Sequence, residues 1–333
     1  MTEAVYDVLT IGNAITDVLA ESDDGFLERE GMTKGIMHLI EGERADYLYD
    51  LMPASKRQIS GGSAANTAAG VTSLGGRAAF VGKVADDDIG RFYTKDLQAA
   101  GVSYTTAWLE NGAGSGRSMI LITPDGERTM NTYLGACHDL TENDIYEDEI
   151  GAALITFMEG YLWDPPEAKR AFVKAAEIAH KHGRAAAITL SDPFCVNRYR
   201  GEFLDLMRSR TVDYVFANLE ELKSLYGTDD VAAAVRQIGS DCRVAAVTMG
   251  PKGAMAVRDG EIYTVPAYPV EQVADVTGAG DLFASGFLLG LARGMESERA
   301  LQLGTMAASE IISHVGARPQ SDLAELARQR GLA

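Results

Sequence analysis

The sequence predicts an α/β protein with a largely parallel central sheet and helices on both faces of that sheet. Two observations predict this class: apolar runs of strand length alternate with helical stretches through the second half of the chain, and the runs are apolar throughout, as in strands covered on both sides. The strand-like runs are residues 153–157, 185–190, 214–217 and 244–248. The helical stretches are residues 164–182, 204–209, 219–226, 231–238, 301–314 and 322–330.

The first half is expected to fold in the same alternation. Its predicted elements are strands at residues 5–11, 35–40 and 78–84, helices at 64–74 and 89–100, and a hairpin of 118–123 and 127–133. Asp17 follows the carboxyl end of the first strand, where open α/β sheets place ligand contacts, although an acidic loop residue also fits that position. Gly61 and Gly62 precede the helix at 64–74, whose small side chains let the glycine backbone approach a ligand.

Composition narrows the possible partners. The 333 residues have the make-up of a soluble globular protein, and the formal net charge of −18 argues against a nucleic-acid backbone or an anionic membrane, because both would repel it. The three cysteines are odd in number and widely spaced, which fits neither a disulfide framework nor a cysteine metal site, and no run has the length of a membrane span. We therefore expect a cytoplasmic monomer or homodimer that receives small molecules in a local pocket.

The most informative stretch is 275–287, where Gly278, Ala279 and Gly280 directly precede Asp281 and an apolar helix. Glycines before a helix let the backbone turn tightly and direct free N–H groups towards one point, where the helix dipole adds positive charge. Such a pocket attracts an anion. A carboxylate beside it would repel a phosphate unless it takes a proton from an attacking hydroxyl, so the pair suggests phosphoryl transfer to an alcohol. The residues alone also fit a glycine turn capped by an acid.

Two motifs resemble signatures of the ribokinase-like carbohydrate and nucleoside kinases, the PfkB family. Asp275-Val276-Thr277-Gly278-Ala279-Gly280-Asp281 is similar to the C-terminal signature, and Gly61-Gly62-Ser63-Ala64-Ala65-Asn66 is similar to the N-terminal one. The motifs stand in the family's order, and the resemblance covers nearly the whole chain. It implies one ribokinase-like domain over residues 1–333, with three α/β/α layers and a small β lid formed by segments at about 13–58 and 103–138.

The resemblance also implies roles for the motif residues. Asp281 would be the catalytic base, and the amides of Gly278, Ala279 and Gly280 would form the anion hole for the γ-phosphate of ATP. The implied substrate-binding residues are Asp17, Gly61, Gly62 and Asn66.

Further residues are implied for the nucleotide and its cations. Asn218-Leu219-Glu220-Glu221 resembles the family's Asn-x-x-Glu motif, which is associated with Mg²⁺, a cation commonly organised by one or two carboxylates together with phosphates. The implied nucleotide-binding residues are Asn218, Thr248, Gly250 and Gly253. Asp275 and Thr277 are implied for a monovalent cation such as K⁺. Without the resemblance, Glu221 is an exposed helix residue and Gly250 belongs to an ordinary turn.

The acceptor is indicated by aromatic residues just past two strand ends, Tyr161 and Phe194, which fit either a core or a binding surface. In adenosine kinases of the family, aromatics at similar places enclose the purine, so the expected reaction is phosphorylation of the 5′-hydroxyl of adenosine by ATP. Two alternatives stay open. One is a sugar kinase of the same family acting on a ribose- or fructose-like substrate, and the other is a nucleoside-binding regulator without turnover.

Three features complete the sequence picture. The one Gly-Lys pair, Gly82-Lys83, lacks the following Ser or Thr, so a P-loop mechanism is excluded, and no protein-kinase signature is present. Ala85 stands where many family members have glycine, which leaves the shape of its loop open. Arg117 and Arg128 lie on the predicted hairpin, and either is a candidate for the lid arginine that the family often places near the phosphates.

Overall fold

The computed structural model describes residues 4–332 of the chain. The strands in chain order are β1 (Tyr6–Ile11), β2 (Ile15–Glu21), β3 (Met37–Leu39), β4 (Arg57–Gly61), β5 (Ala78–Val81), β6 (Ser103–Tyr104), β7 (Gly116–Ile122), β8 (Arg128–Tyr133), β9 (Ala153–Glu159), β10 (Ala185–Thr189), β11 (Tyr214–Asn218), β12 (Val244–Thr248), β13 (Ala254–Arg258) and β14 (Glu261–Val265). The helices are α1 (Asp24–Arg29), α2 (Gly42–Leu51), α3 (Ser63–Ser73), α4 (Asp88–Ala99), α5 (Glu147–Gly151), α6 (Pro166–Lys181), α7 (Pro193–Arg208), α8 (Leu219–Tyr226), α9 (Val231–Asp241), α10 (Ala279–Ala292), α11 (Ser297–Ile311) and α12 (Leu323–Gln329).

The central sheet has nine strands in the order β14-β13-β12-β11-β10-β9-β1-β5-β6. Neighbours from β12 to β6 run parallel, whereas β13 and β14 are added antiparallel at one edge. Parallel strands need crossover connections, and here helices supply them. The predicted α/β class with a largely parallel sheet is confirmed.

Each face of the sheet has its own apolar core, which explains why the strands read as continuous apolar runs. Val8 points into a core shared with α3, α10, α11 and α12, and the next residue, Leu9, points into the core beneath α6 to α9. Phe287 and Phe172 are among the largest fully buried side chains of the two cores. The described part of the chain contains no helix long and apolar enough to cross a membrane.

A second sheet of five strands, in the order β3-β8-β7-β2-β4, forms the lid. Leu27 of α1 and Leu48 of α2 pack on one face of it, against Val18 and Met119. The opposite face carries the residues of other parity, among them Arg128, which contacts Asp275 and Thr277. Within the segment predicted for the lid at about 103–138, β6 pairs with β5 of the central sheet, and β7 and β8 belong to the five-stranded sheet.

Ala85, where glycine is common in the family, lies in a loop that needs no glycine. Its side chain is buried, its N–H donates to Ser115 Oγ at 2.9 Å, and it bridges to Leu109. Ala85 is absent from the described non-glycine residues with a positive φ. An alanine therefore fits this backbone without strain.

Candidate active site

Asp281 lies in the first turn of α10, and two donors from α3 hold its carboxylate. Ser63 donates its hydroxyl to Oδ1 at 2.6 Å, and Asn66 donates Nδ2–H to Oδ2 at 2.9 Å. Burial raises the pKa of Asp281, although both hydrogen bonds and the charge of Arg318 act in the opposite direction. A carboxylate fixed in this way, with a raised pKa, is suited to accept a proton.

The N-terminus of α10 presents open backbone donors beside that carboxylate. Gly278 precedes the helix with φ 80, a left-handed conformation that favours glycine. Ala279 N–H donates to Val276 O at 3.2 Å, but within residues 4–332 the N–H groups of Gly280 and Asp281 have no acceptor. A Cβ on Gly280 would meet no atom within 4 Å. Free donors at the positive end of a helix therefore face open space, which is an arrangement that binds anions.

The glycine pair before α3 is required by close approaches. A Cβ on Gly61 would lie 2.5 Å from Asp17 Oδ2, and a Cβ on Gly62 would lie 2.0 Å from Asn13 O, with φ 93 at Gly62. Asp17 of the lid therefore rests directly over the glycines. Burial raises the pKa of Asp17 to about 7, partly opposed by the nearby charges of Arg318 and Arg128 and reinforced by Asp281.

Glu159 is a buried carboxylate beneath this pair. It ends β9, accepts Asn13 Nδ2–H at 2.8 Å and accepts the N–H of Ala64 in α3 at 2.9 Å. A Cβ on Gly12 would lie 2.2 Å from its Oε2, so Gly12 makes room for the carboxylate. Burial raises the pKa of Glu159 to about 7, and the charge of Asp281 contributes.

The two lid arginines face opposite sides of the lid. Arg128 has the parity of the open face and reaches the signature loop, where it pairs with Asp275 Oδ2 at 2.7 Å and donates to Thr277 Oγ1 at 3.1 Å. Its Nη2 has no partner in the described part of the chain. Arg117 has the parity of the helix-covered face, where it pairs with Asp46 and contacts the rings of Tyr49 and Tyr133. Only Arg128 of the two candidates lies at the site.

A cavity of about 400 Å³ extends from Asp281 along the carboxyl ends of the central strands. Residues of four strand ends and of α10 line it, including Tyr161, Ser191, Asn218, Glu221, Thr248, Gly278, Ala279, Gly280 and Asp281. Tyr161 donates its hydroxyl to Ser191 O at 3.2 Å and is 44% exposed. Phe194, in contrast, is 76% exposed and does not line this cavity. The structure thus brings Tyr161 near the Asp281 site but not Phe194.

Asn218 and Glu221 cap α8 reciprocally at the far end of the cavity. Asn218 donates its N–H and Nδ2–H to the two carboxylate oxygens of Glu221 at 3.0 and 2.5 Å, and Glu221 N–H returns to Asn218 Oδ1. Burial raises the pKa of Glu221 to about 7. Glu221 is buried, whereas its sequence position without the family resemblance predicts an exposed glutamate.

The remaining predicted nucleotide residues lie on the neighbouring strand. Thr248 ends β12 directly opposite Asn218 and lines the cavity. Gly250 and Gly253 bracket the 3₁₀ turn that follows, both with positive φ, and neither lines the cavity.

Asp275 and Thr277 interact with each other rather than leaving a free carboxylate. Asp275 accepts the N–H and the hydroxyl of Thr277 at 3.0 and 2.7 Å and the N–H of Gly316 at 2.9 Å, in addition to its ion pair with Arg128. Burial alone would raise the pKa of Asp275, but these hydrogen bonds and the arginine lower it. The described residues contain no group of three or more His, Cys, Asp or Glu side chains arranged to hold a metal.

Sequence reasoning missed three residues of this site: Ser63, Glu159 and Arg318. Ser63 belongs to the N-terminal motif, so its position after Gly62 was a usable signal. Glu159 ends an apolar strand and belongs to neither motif, so its position gave no signal. Arg318 follows α11, outside both motifs, and its position gave no signal.

Three features of the site are typical of enzymes that phosphorylate sugars or nucleosides. They are a lid over a parallel sheet, a carboxylate at an open helix N-terminus and a cavity at the strand ends. The family model described as "pfkB family carbohydrate kinase" matches residues 47–323, and the chain belongs to this family. It is a phosphotransferase with an alcohol group as acceptor.

The chain is similar to particular members of the family over its whole length. The crystal structure of adenosine kinase from Sinorhizobium meliloti is 53% identical, covers 98% of this chain and 100% of that chain, and has a TM-score of 0.90. A probable sugar kinase from Rhizobium etli is 51% identical, with 99% and 100% coverage and a TM-score of 0.91. Adenosine kinase from Saccharomyces cerevisiae is 26% identical, covering 93% of this chain and 95% of its own length.

Proposed function

We propose that this kinase transfers the γ-phosphate of ATP to the 5′-hydroxyl of adenosine, giving AMP and ADP. The observation that carries the proposal is the position of Asp281, held by Ser63 and Asn66 beside the open N–H groups of α10. A proton acceptor and an anion-binding helix end at one place are what phosphoryl transfer to an alcohol requires.

Asp281 is the proposed base. As the 5′-oxygen bonds to the γ-phosphorus, the bond between that phosphorus and the β–γ bridging oxygen breaks, and the hydroxyl proton passes to Asp281. ADP leaves with the bridging oxygen, and Asp281 then returns its proton to water. The backbone of Gly278, Ala279 and Gly280 is the proposed anion hole, with Gly280 N–H already free to donate. Positioning and charge stabilisation supply most of the rate in such reactions.

The lid supplies the argument for a nucleoside acceptor. On its open face, Leu19, Ile120, Met130 and Met37 stand side by side in register across four strands. The neighbouring row on the same face begins with Asp17, because residues two apart in a strand share a face. A carboxylate for the ribose hydroxyls beside an apolar row for a base fits a nucleoside better than a free sugar.

The other proposed acceptor contacts complete this pocket. Gly61, Gly62 and Asn66 would fix the ribose under Asp17, and Tyr161 would stack on the purine. Phe194 stays a prediction, because it is exposed and does not line the cavity beside Asp281.

Mg²⁺ bound with ATP would neutralise phosphate charge, and Glu221 fits a role in organising it. Each Glu221 oxygen accepts only one hydrogen bond, which leaves capacity for a cation-bound water. Asn218 and Thr248 would face the nucleotide, with Gly250 and Gly253 shaping the turn behind it. K⁺ at Asp275 and Thr277 stays a prediction that the donor set does not favour, since Arg128 already neutralises the carboxylate.

We also propose that the reaction takes place in the cytoplasm. In support, Cys137, Cys195 and Cys242 are all buried free thiols. Burial raises the pKa of Cys195 to about 12, which keeps the thiol protonated and unreactive.

Asp281→Asn tests the chemistry. We expect the variant to keep the wild-type fold and melting temperature and to lose about 10²–10⁴-fold in turnover, because an amide cannot take the hydroxyl proton. Asp46→Asn, on the helix-covered side of the lid, is the matched control and should phosphorylate at the wild-type rate. Near-wild-type turnover by Asp281→Asn would remove Asp281 from its role.

A substrate panel tests the acceptor. Purified enzyme is offered ATP with adenosine, inosine, ribose or fructose, and ADP release is measured. We expect adenosine to give the highest kcat/KM. Preference for ribose or fructose would establish the sugar-kinase alternative, and binding without ADP release would establish a regulator.

A further inference from the structure

Arg318 connects the two halves of the site from a position that neither motif contains. It lies in the loop between α11 and α12, and its guanidinium donates to Ser60 O from Nε at 3.1 Å and to Ala65 O from Nη1 at 2.8 Å. These two carbonyls flank the Gly61-Gly62 pair, one at the end of the lid strand β4 and the other in the first turn of α3. One side chain therefore fixes how the lid meets α3.

The same loop also touches the C-terminal motif. Ala317 packs against Gly278, where a Cβ would lie 3.1 Å from the Ala317 Cα, and Gly316 N–H donates to Asp275. The two residues that precede Arg318 are thus fixed to the α10 loop.

The groups around Arg318 are acidic, and its positive charge offsets theirs. Asp17 of the lid and Asp281 of α10 interact electrostatically with Arg318. Asp96 and Tyr93 of α4 do so as well. Asp96 is itself satisfied by the N–H and hydroxyl of Ser60 at 2.8 and 2.7 Å. Arg318 is the shared counter-charge of Asp17 and Asp281, and of the two only Asp17 also lies near the positive charge of Arg128.

Burying a guanidinium costs free energy unless nearby anions and acceptors offset it. Backbone carbonyls alone could be satisfied by a neutral donor, so they do not explain a cation at this position. Two carboxylates that burial would otherwise protonate do explain it. Burial raises the pKa of Asp17 to about 7 and the charge of Arg318 lowers it, so removing that charge would raise this pKa further.

We propose that Arg318 is a positioning residue for the phosphoryl transfer, which braces β4 against α3 and supplies the positive charge that favours the carboxylate forms of Asp17 and Asp281 towards the acceptor hydroxyls. The inference rests on the proposed function, because it assigns a partner to the proposed base and the proposed ribose contact. A brace alone would change stability at every pH equally. The charge predicts in addition a change in the pH dependence of the reaction.

The test compares Arg318→Lys with Arg318→Gln. The lysine keeps the charge but cannot span both carbonyls, whereas the glutamine can still donate to one carbonyl and has no charge. For each folded variant, kcat/KM for phosphorylation of the best acceptor is measured across the acidic and neutral pH range. We expect the acid limb of Arg318→Gln to move up by about one pH unit. The limb of Arg318→Lys should stay at the wild-type position while its melting temperature falls.

Either variant alone decides the charge argument. A wild-type acid limb in Arg318→Gln, or a displaced limb in Arg318→Lys, would overturn it. Failure of the proposed function gives a different result, since Asp281→Asn would then remain active whatever the Arg318 variants do.

Discussion

The helices α3 and α10 both begin after a glycine, but the backbone N–H groups at their N-termini have different partners. Both α3 and α10 follow a glycine with positive φ, 93 at Gly62 and 80 at Gly278, and both continue with small residues. In α3, the buried carboxylate of Glu159 takes the N–H of Ala64. In α10, no described residue accepts from Gly280 N–H, and the space beside it is open.

The difference shows that a glycine-led helix start leaves N–H groups open where no carboxylate of the protein accepts from them, as the proposed anion site at α10 requires. Glu159 makes α3 a scaffold: the helix is tied to the end of β9, and its Ser63 and Asn66 point their donors at Asp281. The α10 helix instead keeps its donors for a ligand. Both starts have a glycine with positive φ followed by small residues, and the residue that distinguishes them, Glu159, comes from a distant strand.

Gly62→Ala should have the largest effect on stability, because protein atoms fill the space beside the N-terminus of α3. The added Cβ would lie 2.0 Å from Asn13 O, and alanine is also strained at this φ. We expect the free energy of unfolding to fall by on the order of 3 kcal/mol or more, measured by urea denaturation. Gly126→Ala is the control, with φ 85 but open space around it, and should cost only about 1–2 kcal/mol. Equal losses in the two variants would mean that α3 is not tightly filled.

Gly280→Ala should lower turnover but not stability, because the space beside the N-terminus of α10 is open. The methyl group meets no protein atom, and alanine favours a helix, so stability should stay unchanged or rise by up to about 1 kcal/mol. Turnover should fall by roughly tenfold or more, equivalent to about 1.4 kcal/mol in the barrier, since the methyl group stands where phosphate would approach.

Gly201→Ala in α7 is the control for that variant. A Cβ on Gly201 also meets no atom within 4 Å, so the substitution should be equally tolerated and leave turnover unchanged. If Gly280→Ala kept full turnover, the open space at α10 would not be the phosphate site.

The fold and the α10 end of the site were predictable from sequence because their signals are local. Buried strands read as apolar runs, and glycines before an acid and an apolar helix stand together in the Gly278 to Asp281 motif. The lid arginine could also have been found, since Arg128 shares the parity of Met130 on the open face. That step needed only the period of two residues in a strand.

The N-terminal motif indicates Gly61, Gly62 and Asn66, but the partners at the α3 end were not predictable, because the contacts there join residues far apart in the chain. Ser63 and Asp281 are separated by 218 residues and Glu159 and Ala64 by 95. An acid at a strand end and a lone arginine after the last long helix have no pattern of their own. Only the packing of β9, α3 and the loop after α11 around one point gives Glu159 and Arg318 their partners.

Glu159→Gln should change only how stability depends on pH, and it tests whether the α3 acceptor carries a proton. The pKa of Glu159 is raised from 4.5 to about 7, so between these values the folded protein binds a proton that the unfolded chain has lost. This contribution to stability is fully present below pH 4.5 and is lost as the pH rises through about 7.

The glutamine variant does not titrate, so its stability has no such loss. Its amide oxygen can accept from Ala64 and its nitrogen can donate to Asn13 Oδ1 after that amide rotates. The stability of the wild type should therefore decline more steeply with pH than that of Glu159→Gln, by about 3 kcal/mol at most, as measured by urea unfolding of ligand-free protein. Gly280→Ala, which keeps Glu159, should follow the wild-type slope. Parallel slopes in the wild type and Glu159→Gln would mean that the acceptor at α3 stays charged throughout, and that the two helix ends differ in geometry alone.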